Sequence, residues 1–278
     1  MTNIIDVMQN GDVEGEYSTN GPTVVGYWSF NNAGSPWVGN LGQVPLIAYG
    51  LQNPVSPWTN ALQVDNGTTA NLSYRYAESN GLENIHCLNG AVSFWFKPDW
   101  NGSAAPGTNG QLLALGDGTN SLWSLYVDAP GSNILFQTGS NGVFITYFTN
   151  GIASFSSNTW YAVTLDYSTA STALYLNGLL AQSGPGITNY PNIADRMTYG
   201  FSLGSDHTGQ HEAHACFDEV YTYDSPLSAE EILSNYVEGL LTANSSGGSG
   251  VGQPDWDTYN ALNGLNATNG LVVFTPLK

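Results

Sequence analysis

Short runs rich in β-branched and aromatic residues recur along this chain at intervals of about ten residues, with turn residues between them. The run at residues 91–97, AVSFWFK, is almost continuous in such residues, which predicts a strand that contacts protein on both faces. Asn177 and Gly178 give the strongest hairpin signal, because a type I′ turn needs positive φ at both central residues. The pattern predicts an all-β fold, a two-sheet antiparallel β-sandwich of the jelly-roll type.

The segment of residues 216–236 predicts a strand, a turn and a helix. Residues 217–223 are β-branched and aromatic, as in a half-buried strand, and Pro226 ends that strand because proline lacks the N–H that a sheet ladder needs. Ser228 lies three residues before Glu231, which is the spacing of a capping box. Apolar residues then follow at helical spacing, so the sandwich is predicted to end in one short C-terminal helix.

Composition divides the chain into three predicted parts. Residues 1–23 are polar and rich in glycine and are predicted to be an N-terminal arm. Residues 24–243 carry the strands and the helix, and are predicted to form one β-sandwich domain. Residues 244–278 begin with NSSGGSGVG, which predicts a flexible linker followed by a C-terminal tail. The apolar run at residues 271–274 in this tail is suited to adding a strand to another chain.

The charge balance restricts the possible partners. The chain has 4 Lys and Arg residues in total against 22 Asp and Glu, which gives a formal net charge of −18. Nucleic acid and anionic membranes would be repelled, so neither is expected as a partner. No apolar run approaches the ~18 residues that a membrane span needs, so membrane insertion is not expected either. The scarcity of lysine and the many Asn, Gly, Thr and aromatic residues favour a secreted or cell-surface protein.

The two cysteines, Cys87 and Cys216, each stand just before a predicted strand. If those strands are antiparallel neighbours, the two residues lie at opposite ends of the pair and are too far apart to bond. We therefore expect two buried free thiols, with a disulfide as the alternative.

Four stretches, in this order, resemble laminin-G-like domains of the concanavalin A-like lectin/glucanase superfamily. They are GYWSFNN at residues 26–32, AVSFWFKPDW at 91–100, SNTWYAVTLDYSTASTALYLNGLL at 157–180 and CFDEVYTYDSPLSAEEILSNY at 216–236. The resemblance covers roughly residues 24–240 and implies the same jelly-roll sandwich.

The resemblance also implies a structural calcium ion. Asp218 matches the family's calcium-binding aspartate on the closing strand, and the end of the opening strand, which supplies the carbonyl ligands, is Phe30-Asn31-Asn32 here. Calcium takes oxygen ligands and tolerates main-chain carbonyls. The predicted ligands are therefore Asp218, Asn31 and Phe30. The alternative is that Asp218 only accepts hydrogen bonds from backbone N–H groups at a strand junction.

The abundant aromatic residues favour a carbohydrate ligand, since sugars stack on exposed aromatic faces. The candidates in or beside predicted loops are Trp37, Trp58, Trp100, Trp123 and Tyr190. For each of them the alternative is a place in the core of the sandwich. The loop of residues 205–214 holds three of the four His residues, and we interpret it as a solvated loop in preference to a zinc site.

Glycan cleavage is not expected. Glucanases of this superfamily carry a Glu-x-Asp-x-x-Glu strand that places two carboxyl groups on one face, and this chain has no such run. Asp218 and Glu219 are adjacent, so a regular strand would direct them to opposite faces. The sequence thus predicts an extracellular, non-catalytic recognition module with a structural calcium, which binds carbohydrate or another extracellular protein. The alternatives are an assembly subunit that contacts other chains through sheet edges and its tail, and, third, a glycan-cleaving enzyme.

Overall fold

The computed structural model describes residues 21–64, 69–101, 107–151, 155–157 and 159–245. Within these residues the strands are β1 (Val24–Trp28), β2 (Pro45–Tyr49), β3 (Val55–Ser56), β4 (Thr59–Asn60), β5 (Leu62–Val64), β6 (Asn71–Tyr74), β7 (Gly90–Pro98), β8 (Gly110–Leu115), β9 (Leu122–Val127), β10 (Asn133–Ser140), β11 (Val143–Gly151), β12 (Tyr161–Tyr167), β13 (Ser171–Leu176), β14 (Leu179–Pro185), β15 (Phe201–Leu203) and β16 (Ala215–Tyr223). The helices are α1 (Ile193–Tyr199) and α2 (Ala229–Ser245).

Two antiparallel sheets form the body. The first sheet has the order β1-β16-β7-β12-β13-β14, and β5 pairs with β16 beside β1. The second sheet has the order β11-β10-β9-β8-β15-β6-β2, and β3 with β4 forms a separate small hairpin. This is the predicted all-β sandwich. The first and last strands of the body are neighbours, with Trp28 of β1 paired to Val220 of β16.

The core lies between the sheets and is rich in aromatic residues. Strand β7 is buried along almost its whole length, as its continuous aromatic sequence predicted. Its two faces meet different layers, because Phe94 and Phe96 enter the core between the sheets while Trp95 faces outward. Cys87 belongs to the inner core and Cys216 to the outer cluster, and both are buried free thiols, as expected.

The hairpin between β13 and β14 has the turn that the sequence predicted. Asn177 has φ of 52° and Gly178 has φ of 78°, so both central residues are in the left-handed region that a type I′ turn requires. Gly178 also lies against α2, where an added Cβ would come within 2.9 Å of the Leu233 side chain.

Helix α1 was not predicted from the sequence, which indicated one helix only, at the end of the sandwich. The Asn192 side chain caps this helix by accepting a hydrogen bond from the N–H of Asp195 at 3.0 Å. The strand that follows is only β15, after Gly200. The capping residue outweighed the β propensity of the segment.

Helix α2 begins with the predicted capping box. Glu231 N–H donates to Ser228 Oγ at 3.2 Å, and Ser228 N–H donates to Glu231 Oε2 at 2.7 Å. The helix has 17 residues, so it is longer than the short helix predicted, and it continues through Asn244 and Ser245, which were predicted to begin the linker. Most of the predicted arm and tail, residues 1–20 and 246–278, lies outside the described residues.

Candidate functional site: a cleft between the terminal helix and the first sheet

Helix α2 lies across the outer face of the first sheet and contacts it at two places. Ile232 packs in a buried cluster with Ala91 and Tyr223, and Leu240 packs in another with Trp95. Between these two contacts a cleft of about 530 Å³ opens between helix and sheet. This is the size range of small-ligand sites, so the cleft is the candidate functional site.

The floor of the cleft is one row of side chains across four strands. Tyr27 of β1 pairs with Tyr221 of β16, which is followed by Ser93 of β7 and Thr164 of β12. The rings of Tyr27 and Tyr221 are stacked, with centroids 4.3 Å apart and planes inclined by 7°. The hydroxyl groups of Thr164 and Ser93 are hydrogen-bonded at 3.1 Å. The floor is therefore aromatic at one end and hydroxylated at the other.

Two tryptophans form one wall. The ring centroids of Trp58 and Trp95 are 4.5 Å apart, and the Trp58 indole N–H donates to the carbonyl of Gly239 at 2.9 Å. An added Cβ at Gly239 would lie 2.8 Å from the Trp95 ring, so only glycine lets the helix approach this closely. The wall ties the hairpin of β3 and β4 to both the sheet and α2.

A β-bulge in β16 places a carboxylate in the cleft. Asp218 pairs with Trp95 and Tyr221 pairs with Ser93, so β16 has one residue more than β7 between these pairs. The extra residue, Glu219, has φ of 48°. Its Oε2 accepts hydrogen bonds from the Tyr27 and Tyr221 hydroxyls at 2.8 and 2.9 Å. Asp218 and Glu219 thus both face outward, which corrects the expectation that they point to opposite faces.

Burial changes the protonation chemistry of this carboxylate and its neighbours. Desolvation raises the pKa of Glu219, although the hydrogen bonds from Tyr27 and Tyr221 oppose that shift. Desolvation also raises the pKa of Tyr27 to about 12, and both tyrosine hydroxyls therefore remain protonated donors near neutral pH. The cleft consequently presents one acidic group held in place by two neutral donors.

Asp218 lies beneath the hairpin of β3 and β4 and is fully buried. The Ser56 hydroxyl donates to its Oδ2 at 2.5 Å, and the N–H of Glu219 donates to its Oδ1 at 2.8 Å. Desolvation raises the pKa of Asp218 to about 8; the hydrogen bond from Ser56 opposes the rise and the charge of Glu219 adds to it. Asp218 does not line the cleft.

The predicted calcium ligands lie near one another around the same hairpin, and each of their oxygens accepts a hydrogen bond from the protein. Asn31 Oδ1 accepts from the N–H of Asn60 at 2.9 Å, and the carbonyl of Phe30 accepts from Asn53 Nδ2 at 3.2 Å. Asp218 likewise has a donor on each oxygen. These hydrogen bonds are those of the alternative, in which Asp218 accepts hydrogen bonds at a strand junction, and they leave a second lone pair on each oxygen. Calcium stays a prediction.

No group of three or more His, Cys, Asp or Glu side chains that could hold a metal occurs in the described parts of the chain. In the histidine-rich loop, His211 Nδ1 lies 2.9 Å from Asp206 Oδ2, and Glu212 accepts the N–H of Ala70. The first contact fixes a turn within the loop, and the second holds the loop to the residue before β6.

The five aromatic residues predicted to bind carbohydrate differ in how far they are buried. Trp123 is 0% exposed and Trp100 is 6% exposed, so neither offers a ring face to a ligand and both take the core role that was the alternative. Trp37 and Tyr190 are half-buried and pack against the inner core, and neither lines the cleft. Trp58 is also largely buried, but it lines the cleft and remains a candidate.

The sequence did not reveal Tyr27, Tyr221 or Glu219 as site residues. An available signal was the alternation of Tyr221 and Tyr223 on the closing strand, which placed two aromatic side chains on the same face. No sequence signal marked the bulge. Its extra residue, Glu219, is neither glycine nor asparagine, the residues that most often take positive φ.

A family model described as the concanavalin A-like lectin/glucanases superfamily, Laminin_G_3, matches residues 70–233, which is more than half of the chain. The chain belongs to this superfamily. The match includes the closing strand with the bulge and the start of α2. No curated protein sequence matches this superfamily member.

Solved structures share the sandwich at low sequence identity. The binding domain of Paraclostridial Mosquitocidal Protein 1 is similar with a TM-score of 0.60 and 14% identity, over 78% of this chain and 52% of that one. The receptor-binding domain of botulinum neurotoxin D gives 0.60 and 17%, over 78% and 53%. This superfamily member therefore spans about half the length of these toxin domains.

Another similar structure is comparable in size. Domain 4 of AbnA, an extracellular arabinanase from Geobacillus stearothermophilus, gives a TM-score of 0.58 and 14% identity, over 77% of this chain and 98% of that domain. At these identities the likeness shows the fold alone. Neither helix in the described residues has the length and apolar character needed to cross a membrane.

Proposed function

We propose that this chain is an extracellular, non-catalytic recognition module that binds carbohydrate in the cleft beneath α2. The observation that carries the proposal is the floor of the cleft, where the stacked rings of Tyr27 and Tyr221 adjoin the hydroxyl groups of Ser93 and Thr164. A sugar ring has an apolar face and a rim of hydroxyls, and this floor offers a partner for each.

The similar structures support a binding role. The arabinanase domain was solved in complex with arabinotriose, and the botulinum neurotoxin domain is named as receptor-binding. The arabinanase is described as extracellular, which agrees with the composition of this chain. A carbohydrate, or a glycan carried by another extracellular protein, is thus the proposed partner.

The carboxyl groups support a non-catalytic role. A glycosidase needs two accessible carboxyl groups, one as the acid and one as the base or nucleophile. Asp218 is fully buried with a donor on each oxygen, so it is not accessible to a substrate. Glu219 and Glu238 both line the cleft, but two tyrosine hydroxyls hold one oxygen of Glu219 in place, which suits a fixed binding group.

A tryptophan placed on the rim should block binding. Asn235 is exposed on α2 and lines the cleft, so in Asn235→Trp the indole would cover the opening. We expect affinity for a glycan that binds the wild type to fall at least about tenfold, or about 1.4 kcal/mol, because the site is occluded. Titration calorimetry on glycans selected from an array, with arabinotriose included, measures this.

The matched control is Glu230→Trp, which makes an equally large change on the same helix at an exposed residue outside the cleft. It should bind as the wild type does. Unchanged binding by Asn235→Trp would contradict the proposed site, and no binding to any glycan would contradict the function. Release of reducing sugar would instead identify an enzyme, and elution as an oligomer on a sizing column would favour the assembly subunit.

Calcium at Asp218 is retained as a separate, testable proposal. A bound ion would share Asp218 with the Ser56 hydroxyl, and its removal would leave a buried carboxylate without a counter-charge. With calcium bound, EDTA should lower the melting temperature by several degrees and added CaCl2 should restore it. The hydrogen-bonded arrangement predicts the same melting temperature in both buffers, and the present geometry favours that result.

A further inference from the structure

We propose that the cleft selects glycans carrying a free, protonated amino group, such as 2-amino sugars, over neutral or N-acetylated ones. This inference rests on the proposed function of the cleft and adds the chemical class of its ligand. Three observations on the part of the chain that the structure describes carry it: an oxygen of Glu219 without a hydrogen-bond donor, the aromatic rings near it, and a cleft lining without basic side chains.

Glu219 has one oxygen available for a ligand. Both tyrosine hydroxyls bind its Oε2, and no described residue donates a hydrogen bond to Oε1. The bulge holds the carboxylate at the cleft, where it is half-buried. A neutral ligand placed over this group would remove water from a carboxylate without supplying charge, which costs free energy. An ammonium group would donate to Oε1 and offset that cost.

Aromatic rings surround the same position. The stacked rings of Tyr27 and Tyr221 lie beside Glu219, and the ring of Tyr223 follows at 6.3 Å from that of Tyr221. Trp58 and Tyr236 line the cleft from the hairpin and the helix. A cation within about 6 Å of such faces is attracted by the ring quadrupole, and an acetamide or hydroxyl group is not attracted in this way.

Among the described residues, the cleft lining carries acidic side chains and no basic ones. The described residues that line the cleft include no Lys, Arg or His, whereas Glu219 and Glu238 are both among them. The ammonium of Lys97 lies over the Trp160 ring, and the guanidinium of Arg196 lies over the Tyr76 ring. The charged side chains that line the cleft are therefore acidic, which favours a cationic ligand.

The test uses three trisaccharides with the same β-1,4-linked glucose backbone: the glucosamine trimer, its fully N-acetylated form and cellotriose. They differ only in an ammonium, an acetamide or a hydroxyl at C2. In buffer near neutral pH, because burial raises the pKa of Glu219 and its carboxylate has to be ionised, we expect the wild type to bind the glucosamine trimer at least about tenfold more tightly than either other ligand. Added salt should reduce this preference.

Glu219→Gln should abolish the preference, because it removes the charge but keeps an acceptor for the tyrosine hydroxyls. Glu230→Gln makes the same change of charge outside the cleft and should retain the preference. A similar loss in both variants, or unchanged binding of the glucosamine trimer by Asn235→Trp, would mean nonspecific attraction to an acidic protein and would overturn the inference.

The result also separates this inference from the proposed function. If cellotriose binds as tightly as the glucosamine trimer and Asn235→Trp blocks both, the cleft binds sugars but the preference for amines is wrong. If no trisaccharide binds and a glycan array is also negative, both proposals fail.

Discussion

Replacing Trp95 with alanine should lower the free energy of unfolding by about 3–5 kcal/mol, the usual cost of removing a buried tryptophan. Trp95 is 5% exposed and its ring lies 4.5 Å from Trp58 and 5.7 Å from Tyr236. It also fills the space against Gly239. The substitution therefore leaves a cavity at the point where sheet, hairpin and helix meet. Urea unfolding followed by tryptophan fluorescence and far-UV circular dichroism measures the change.

Leu241→Ala is the matched control, because Leu241 lies on α2 near the same contact but is 38% exposed. Its effect should stay within about 0.5 kcal/mol, since surface substitutions away from special features rarely cost more. A loss below about 1 kcal/mol for Trp95→Ala would show that α2 is not held to the sheet by this cluster.

The protein should become less stable as the pH rises from mildly acidic to mildly alkaline. Asp218 has a pKa of about 8 in the folded state against a usual value of 3.8. The folded state therefore binds the proton more tightly than the unfolded state. The contribution of Asp218 to the free energy of unfolding is fully present below pH 3.8 and is lost as the pH rises through about 8. Asp166, whose pKa burial raises to about 7, and Glu219 act in the same direction.

Two other carboxyl groups have lowered pKa values and affect stability only at more acidic pH. Backbone N–H groups hold the pKa of Asp117 below its usual value in spite of partial burial, and hydrogen bonds from His211 and Thr208 do the same for Asp206. These two groups favour the folded state above pH 3.8 and lose that contribution only as the pH falls further. They do not offset the loss expected between about pH 5 and about pH 8, roughly three pH units over which Asp218 is ionised in the unfolded state and protonated in the folded state.

Asp218→Asn isolates the contribution of this one residue. Asparagine can accept the N–H of Glu219 and donate to Ser56, but it cannot ionise. Each pKa unit corresponds to about 1.4 kcal/mol. As the pH rises through the range given above, the free energy of unfolding of the wild type should therefore fall by at least ~3 kcal/mol, and that of the variant should fall clearly less. Urea titrations at several pH values measure both. An equal loss in the two proteins would show that Asp218 ionises at an ordinary pH.

Local sequence patterns were sufficient for the architecture. The turn at Asn177 and Gly178, the capping box of Ser228 and Glu231 and the aromatic run of β7 each depend on neighbouring residues, and each was confirmed. The jelly-roll sandwich also followed from a resemblance that extends over most of the chain. Helix α1 was missed because its capping residue, Asn192, is also a common turn residue.

The sequence by itself determined that this chain forms an antiparallel sandwich followed by a helix, because alternating apolar residues and turn residues along the chain indicate where the strands begin and end. Only the tertiary structure decided the site. Glu219 enters the cleft through an irregularity in the pairing of β16 with β7, and Tyr27 meets Tyr221 across a separation of almost the whole domain. Such contacts depend on register and on packing between distant segments, which local patterns do not specify.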